Sequence, residues 1–286
     1  MAEDAGGPNA QQAADWNDAV GRSWADLHEQ IDRQIAPLGR QAMAALEPLA
    51  GLRVLDVGCG CGETTRELAS RIGAGGEAVG VDVSAMLLAI ARDTAPPPGA
   101  ATLRFIQADA QAAPLGGGFD AAFSRFGVMF FEDPAAAFAN IRSALKRGGR
   151  LAFVCWRPPA QNPYLTAAMA AARDLLPPAP PPVPHAPGPF GLADGERTRS
   201  ILAGAGFADV AVKPFDLPIG GDPLEPTVGQ ALRMGPLASA LREAGADEAL
   251  KARVEDAVRA AYRAFDGADG IVRLPAGVWI VTARNP

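Results

Sequence analysis

Val54-Leu55-Asp56-Val57-Gly58-Cys59-Gly60-Cys61-Gly62 is the stretch on which the fold turns. A short apolar run carries an acid, and glycines follow at alternate positions. Arg53 to Val57 lies between turn-prone Gly51 and Gly58, so it reads as a buried parallel strand. The glycines let the backbone turn sharply and come close to a ligand, because a Cβ there would collide with it. Glu63 to Ile72 reads as a helix with Leu68, Ala69 and Ile72 on one face. Strand, glycine turn and helix together predict a nucleotide-cofactor cradle at the carboxyl end of a sheet.

The glycines narrow the choice of cofactor. A dinucleotide fingerprint needs G-x-G-x-x-G, but here Glu63 takes the last position and would face a pyrophosphate. A P-loop needs Lys-Ser/Thr after its glycines, where this chain has Glu63-Thr64. A second strand, Glu77 to Asp82, ends in an acid 20 residues after Gly62. An acid there can accept hydrogen bonds from both ribose hydroxyls, although capping the next helix is an ordinary role for Asp82 or Ser84. Thr102 to Ala108 reads as a third strand, followed by Asp109-Ala110, and Phe119 to Phe126 as a fourth. Asp133-Pro134 starts a helix, Lys146-Arg147-Gly148-Gly149 stops it, and Arg150 to Trp156 is the fifth strand.

Residues 51 to 157 resemble class I S-adenosylmethionine (SAM)-dependent methyltransferases. The likeness rests on the acid-x-Gly-x-Gly-x-Gly turn, on Asp109 to Leu115 as D-A-x-x-x-P-L, and on Leu145 to Leu151 as L-K-x-G-G-x-L. It is closest to the ubiquinone/menaquinone-biosynthesis-type group of small-molecule enzymes. The resemblance implies an α/β, Rossmann-like, seven-stranded mostly parallel sheet with helices on both faces. N-terminal helices and a helical insertion before the last strand complete the expected architecture. It also implies SAM as cofactor, S-adenosylhomocysteine (SAH) as product, and a small-molecule acceptor. The implied cofactor-binding residues are Asp56, Gly58, Cys59, Gly60, Asp82, Val83, Met86, Asp109, Ala110, Ser124, Arg125 and Trp24. Asp109 is expected to accept from the adenine amino group, and Met86 either packs on adenine or is a core methionine.

Composition agrees with a soluble cytoplasmic enzyme, with 49% hydrophobic residues and a net charge of −6. No apolar run of membrane length is apparent, and basic residues are scattered among acids, so neither a membrane nor a nucleic-acid partner is expected. Cys59, Cys61 and Cys155 lack zinc or disulfide spacing, and no metal is expected. The oligomeric state, monomer or homodimer, stays open.

Outside the cradle, residues 1–14 read as a disordered N-terminus, and residues 15–50 as a helical cap. In that cap Trp16 to Ala36 forms one helix, Pro37 breaks or kinks it, and Leu38 to Leu49 forms another. The core takes residues 51–217 and 276–286, with a proline-rich loop region at 158–190. Pro177 to Pro189 reads as a stiff exposed loop, Leu192 to Ala205 as a helix, and Ala208 to Leu217 and Ala276 to Ala283 as the last strands. The insertion, 218–275, holds helices over Thr227 to Ala244 and Asp247 to Phe265 and is the expected substrate lid.

Methyl transfer needs alignment, water exclusion and sometimes a base, but no covalent nucleophile. His28 is the candidate general base. Arg125, leaving the fourth strand, either holds an anionic acceptor or makes a structural ion pair. A SAM-binding sensor without turnover, an aminopropyl transferase and a nucleic-acid methyltransferase are the rival readings.

Overall fold

The computed structural model describes residues 9–178 and 183–286. Seven strands form one sheet in the order β3-β2-β1-β4-β5-β7-β6. They are β1 (Arg53–Val57), β2 (Glu77–Asp82), β3 (Thr102–Gln107), β4 (Phe119–Arg125), β5 (Leu145–Trp156), β6 (Ala208–Asp222) and β7 (Val272–Arg284). The first five run parallel, and β7 is antiparallel to both β5 and β6. This is the α/β Rossmann-like sheet expected. Chain order reverses between β1 and β4, so the glycine turn after β1 opens at the switch point where such sheets hold ligands.

Burial explains the strands. β1 is buried from Val54 to Val57, and Phe119, Phe123 and Phe153 on β4 and β5 are fully covered. Helices α3 (Glu63–Ile72), α4 (Ala85–Asp93) and α5 (Pro134–Ala144) pack against the sheet. Asp133 caps α5 by accepting from Ala136 N at 3.0 Å, with Pro134 at its first position.

The N-terminal cap differs from expectation. Ala10–Trp16 is a helix, α1, so residues 10–14 are ordered, while residues 1–8 lie outside the described part. Tertiary contacts order it: Asn9 N donates to Glu132 at 3.0 Å, and the Trp16 ring meets Trp24 and Phe130 edge-on. The two further helices expected around Pro37 are one, α2 (Ala19–Ala44), with Pro37 inside it. An interior proline costs about 3 kcal/mol. Ile31, Ile35, Leu38 and Met43 are all buried on this helix, each contributing about 1.5–3 kcal/mol, so packing outweighs the break.

The C-terminal third differs in its boundaries. β5 begins at Leu145 rather than Arg150, through an irregular pairing with β4. α6 (Pro163–Ala172) and α7 (Gly195–Gly204) follow it, α7 capped by Asp194. The proline-rich segment is described except for residues 179–182. β6 and β7 pair beyond the expected ends, through Pro218↔Pro275 to Asp222↔Val272. Proline is tolerated there because β6 is an edge strand and β7 has outrun β5. The insertion therefore spans 223–271 and holds α8 (Leu224–Arg233), α9 (Gly235–Glu243) and α10 (Glu248–Tyr262). The single helix expected over Thr227–Ala244 is interrupted at extended Met234 and left-handed Gly235 (φ +80°), the residue whose helical geometry Pro236 disfavours. These helices build a second hydrophobic cluster with α6 and the start of β7. No helix among the described residues is long and apolar enough to cross a membrane.

Candidate active site

The glycine turn is shaped by steric need. Gly58 has φ +70°, and a Cβ there would lie 2.7 Å from the Gly127 Cα, so the turn after β1 abuts the exit of β4. Gly62 has φ +83°, and a Cβ would lie 2.9 Å from the Phe105 ring. Asp82 holds the turn: its carboxylate accepts from Gly60 N at 2.8 Å and Ser84 N at 2.9 Å. Burial raises the Asp82 carboxyl above its ordinary value, and those backbone donors oppose the rise.

One cavity of about 490 Å³ begins at this turn, a volume ordinary for a small-molecule site. Of the residues expected to bind the cofactor, Gly58, Cys59, Gly60, Asp82, Val83, Asp109, Ala110, Arg125 and Trp24 line it. Asp109 accepts from Gln111 N at 2.9 Å and from the Asn9 side chain at 3.2 Å.

Four expected site residues do not line the cavity. Asp56 lies behind the turn, fully buried, and accepts from the Thr64 and Thr65 hydroxyls at 2.6 and 2.7 Å. Burial pushes its acid up to about 6, against those two hydrogen bonds and the charge of Arg125. Through the one oxygen that accepts both bonds Asp56 ties α3 to β1, while its other carboxylate oxygen is buried without a partner among the described residues. Ser124 is likewise internal, donating to the Val57 carbonyl at 2.7 Å and accepting from Gly127 N at 3.2 Å. Leu87 takes the lining place expected for Met86, since α4 turns Leu87, Leu88 and Ala91 inward. His28 stands outside the lining, with its Nδ1 2.7 Å from an oxygen of Glu63, which does line it. One ligand-type atom each from His28, Cys61 and Glu63 lies within 4.8 Å of the others, a grouping the cysteine spacing did not reveal. Burial pushes the Cys61 thiol up to about 12 and Cys59 well above its ordinary value, so both are protonated at neutral pH.

Arg125 resolves as an ion pair. Its side chain, 9% exposed, lies 2.6 Å from the Asp32 carboxylate of α2. Beyond it an aromatic wall begins. Phe126, at φ +63°, stacks on Trp156 with centroids 4.2 Å apart, and Trp156 stacks on Tyr164 at 5.8 Å. Sequence reading did not single out Trp156, although it ends β5 at the ligand edge of the sheet.

Gln34 ties together the elements of the far side. Its amide accepts from the Tyr164 hydroxyl at 2.7 Å and Gln230 at 3.0 Å, and donates to Gln230 at 2.8 Å and Asp222 at 2.9 Å. A buried glutamine with its polar atoms so engaged pins α2 to α6, α8 and the end of β6. Met234, Leu237, Tyr262 and Leu274 complete that end of the cavity.

Over the glycine turn and the strands and helices around it, the chain is similar to SAM-dependent methyltransferases. Residues 54–149 match the methyltransferase domain family. The chain is 32% identical over 118 residues to the aklanonic acid methyltransferase DauC of Streptomyces sp. (strain C5), covering 41% of this chain and 54% of that protein. It is 34% identical over 129 residues to the ubiquinone/menaquinone biosynthesis C-methyltransferase UbiE of Stutzerimonas stutzeri (strain A1501), covering 44% and 50%. The chain thus spans about half the length of the curated relatives it matches. In structure it resembles the [4+2]-cyclase SpnF, with a TM-score of 0.58 and 20% identity over 98% of this chain and 97% of that one. That likeness concerns the fold.

Proposed function

We infer that the chain is a SAM-dependent methyltransferase whose acceptor is a small, largely apolar molecule held beneath the helical insertion. The observation that carries this reading is one continuous cavity with two unlike ends. The glycine-turn end suits a cationic nucleoside without phosphate. Gly58 and Gly60 offer backbone without side chains, Asp82 and Asp109 offer carboxyl groups, and Glu63 opposes a phosphate. When bound, SAM supplies a methyl group on a sulfonium, open to in-line attack by an oxygen, nitrogen or carbon nucleophile.

The chain's own residues bind, orient and exclude water. Each Asp82 oxygen accepts one backbone N–H and keeps a lone pair for a ribose hydroxyl. Asp109 uses one oxygen on Asn9 and Gln111, leaving the other for the adenine amino group. Trp16 and Trp24 roof this end and shed water from it. Phe126, Trp156 and Tyr164 give an acceptor a flat apolar wall on which to lie. The relatives' names, an aklanonic acid methyltransferase and a quinone-biosynthesis C-methyltransferase, support a small-molecule acceptor.

The test is turnover of methyl-labelled SAM with a panel of bicyclic and tricyclic aromatic acceptors. Label transfer to at least one is expected. SAM binding with no transfer across the panel would favour a binding protein without catalysis.

A further inference from the structure

The end of the cavity under the insertion is nearly without polar function. Ala168, Leu237 and Leu274 close it, from the second hydrophobic cluster. Most of its other polar side chains are held by neighbours, and Ser239 accepts from Arg242 at 3.0 Å. Thr227 donates to the Pro223 carbonyl at 2.9 Å, and Gln230 and Tyr164 are held by Gln34.

Tyr262, the last residue of α10, is different. It lines the cavity at 3% exposure, yet among the described residues its hydroxyl has no hydrogen-bond partner. Its oxygen is not fully covered, so it opens on the cavity and is free to bond a ligand there. Burial pushes this phenol up to about 12, so at neutral pH it is a proton-bearing donor. Among the described residues, the cavity lining offers no buried, unpaired arginine or lysine to receive a charged group. Of the arginines that line the cavity, Arg125 is paired with Asp32, while Arg233 and Arg242 are exposed at the mouth.

We propose that Tyr262 anchors the acceptor at the end away from the glycine turn, by donating a hydrogen bond to an uncharged oxygen. A carbonyl, an ether or an un-ionised hydroxyl on an aromatic body fits this site. An ionised carboxylate does not, because it would lose its hydration without gaining a counter-charge. Tyr262 is thereby a specificity-determining residue. The proposal rests on the reading that this half of the cavity takes the acceptor.

Three matched probes test it: 2-acetylnaphthalene, 2-ethylnaphthalene and 2-naphthoate. Each is titrated calorimetrically into the full chain with and without SAH, for wild type and Tyr262→Phe. Wild type is expected to bind the ketone about three- to tenfold more tightly than the hydrocarbon, the range for one neutral hydrogen bond, and to bind the carboxylate most weakly. Tyr262→Phe is expected to bring ketone and hydrocarbon within about twofold, with hydrocarbon and SAH affinities unchanged, since only one hydrogen bond is lost. Its thermal midpoint should not fall, because the hydroxyl has no internal partner to lose. An unchanged ketone preference in the variant, a preference for the carboxylate, or no binding of any probe would overturn the proposal. SAH is read in the same titrations, so failure of the cofactor reading appears separately.

Discussion

The two ends of the cavity are built by opposite means. The glycine-turn end is made mainly by backbone and strand termini between Val54 and Phe131, with acids placed by the ends of β2 and β3 and a roof of Trp16 and Trp24. The insertion end is made by side chains from α2, α6, α8, α9, α10 and β7, brought together across as many as 196 residues of sequence separation. The first end is a property of local geometry, the second of tertiary assembly. Changes at the first should therefore disturb the sheet edge and the cofactor together. Changes at the second should loosen the insertion and spare the cofactor.

The largest effect is expected from Gly58→Ala. The left-handed backbone costs about 1–2 kcal/mol, and the clash with the Gly127 backbone adds about 1–3. Urea unfolding should show a loss of about 2–5 kcal/mol in total. A loss below about 1 kcal/mol would break the claim that this end is set by backbone contact.

Asp56 comes next. Its acid rises from the ordinary 3.8 to about 6 in the folded chain. The folded state thus holds the proton more tightly, and stability falls as pH climbs from about 4 through 6. The full change is on the order of 3 kcal/mol, present above pH 6 and absent below about pH 4. Asp56→Asn keeps an acceptor for Thr64 and Thr65 and removes the titration. Its unfolding free energy should be flatter across that window, and a slope equal to wild type's would assign the titration elsewhere.

Gln34→Leu sharpens the comparison from the other end. It strips partners from Tyr164 and Gln230 and should cost about 2 kcal/mol. Gln34→Leu with Gln230→Leu should cost less than the two single losses added, because one shared bond pair is removed once. Strict additivity would mean that the amides do not act as a latch. Arg233→Ala gives the smallest effect. Its pair with Asp26 is more than half exposed on both sides, and a loss under about 0.5 kcal/mol is expected.

This contrast also explains what was legible in the sequence. Gly58, Gly60, Asp82 and Asp109 could be placed because glycine and strand-end acids carry their meaning locally. Asp56 and Ser124 share the same motifs but point behind the turn, a distinction set by which way each strand residue faces. Pro37, Pro218 and Pro275 misled as boundaries because burial of α2 and the edge position of β6 override proline's local preference. Trp156, Tyr164, Gln34 and Tyr262 could not be gathered into one site, since no spacing links positions that meet only after folding.

One measurement reaches the central claim most directly: calorimetric titration of SAH into wild type, Asp82→Ala and Gln34→Leu. Micromolar binding by wild type is expected, with about a hundredfold loss in Asp82→Ala from its charged hydrogen bonds and less than a threefold change in Gln34→Leu. Binding that survives in Asp82→Ala, or that falls equally in both variants, would contradict a cavity divided into a cofactor end and an acceptor end.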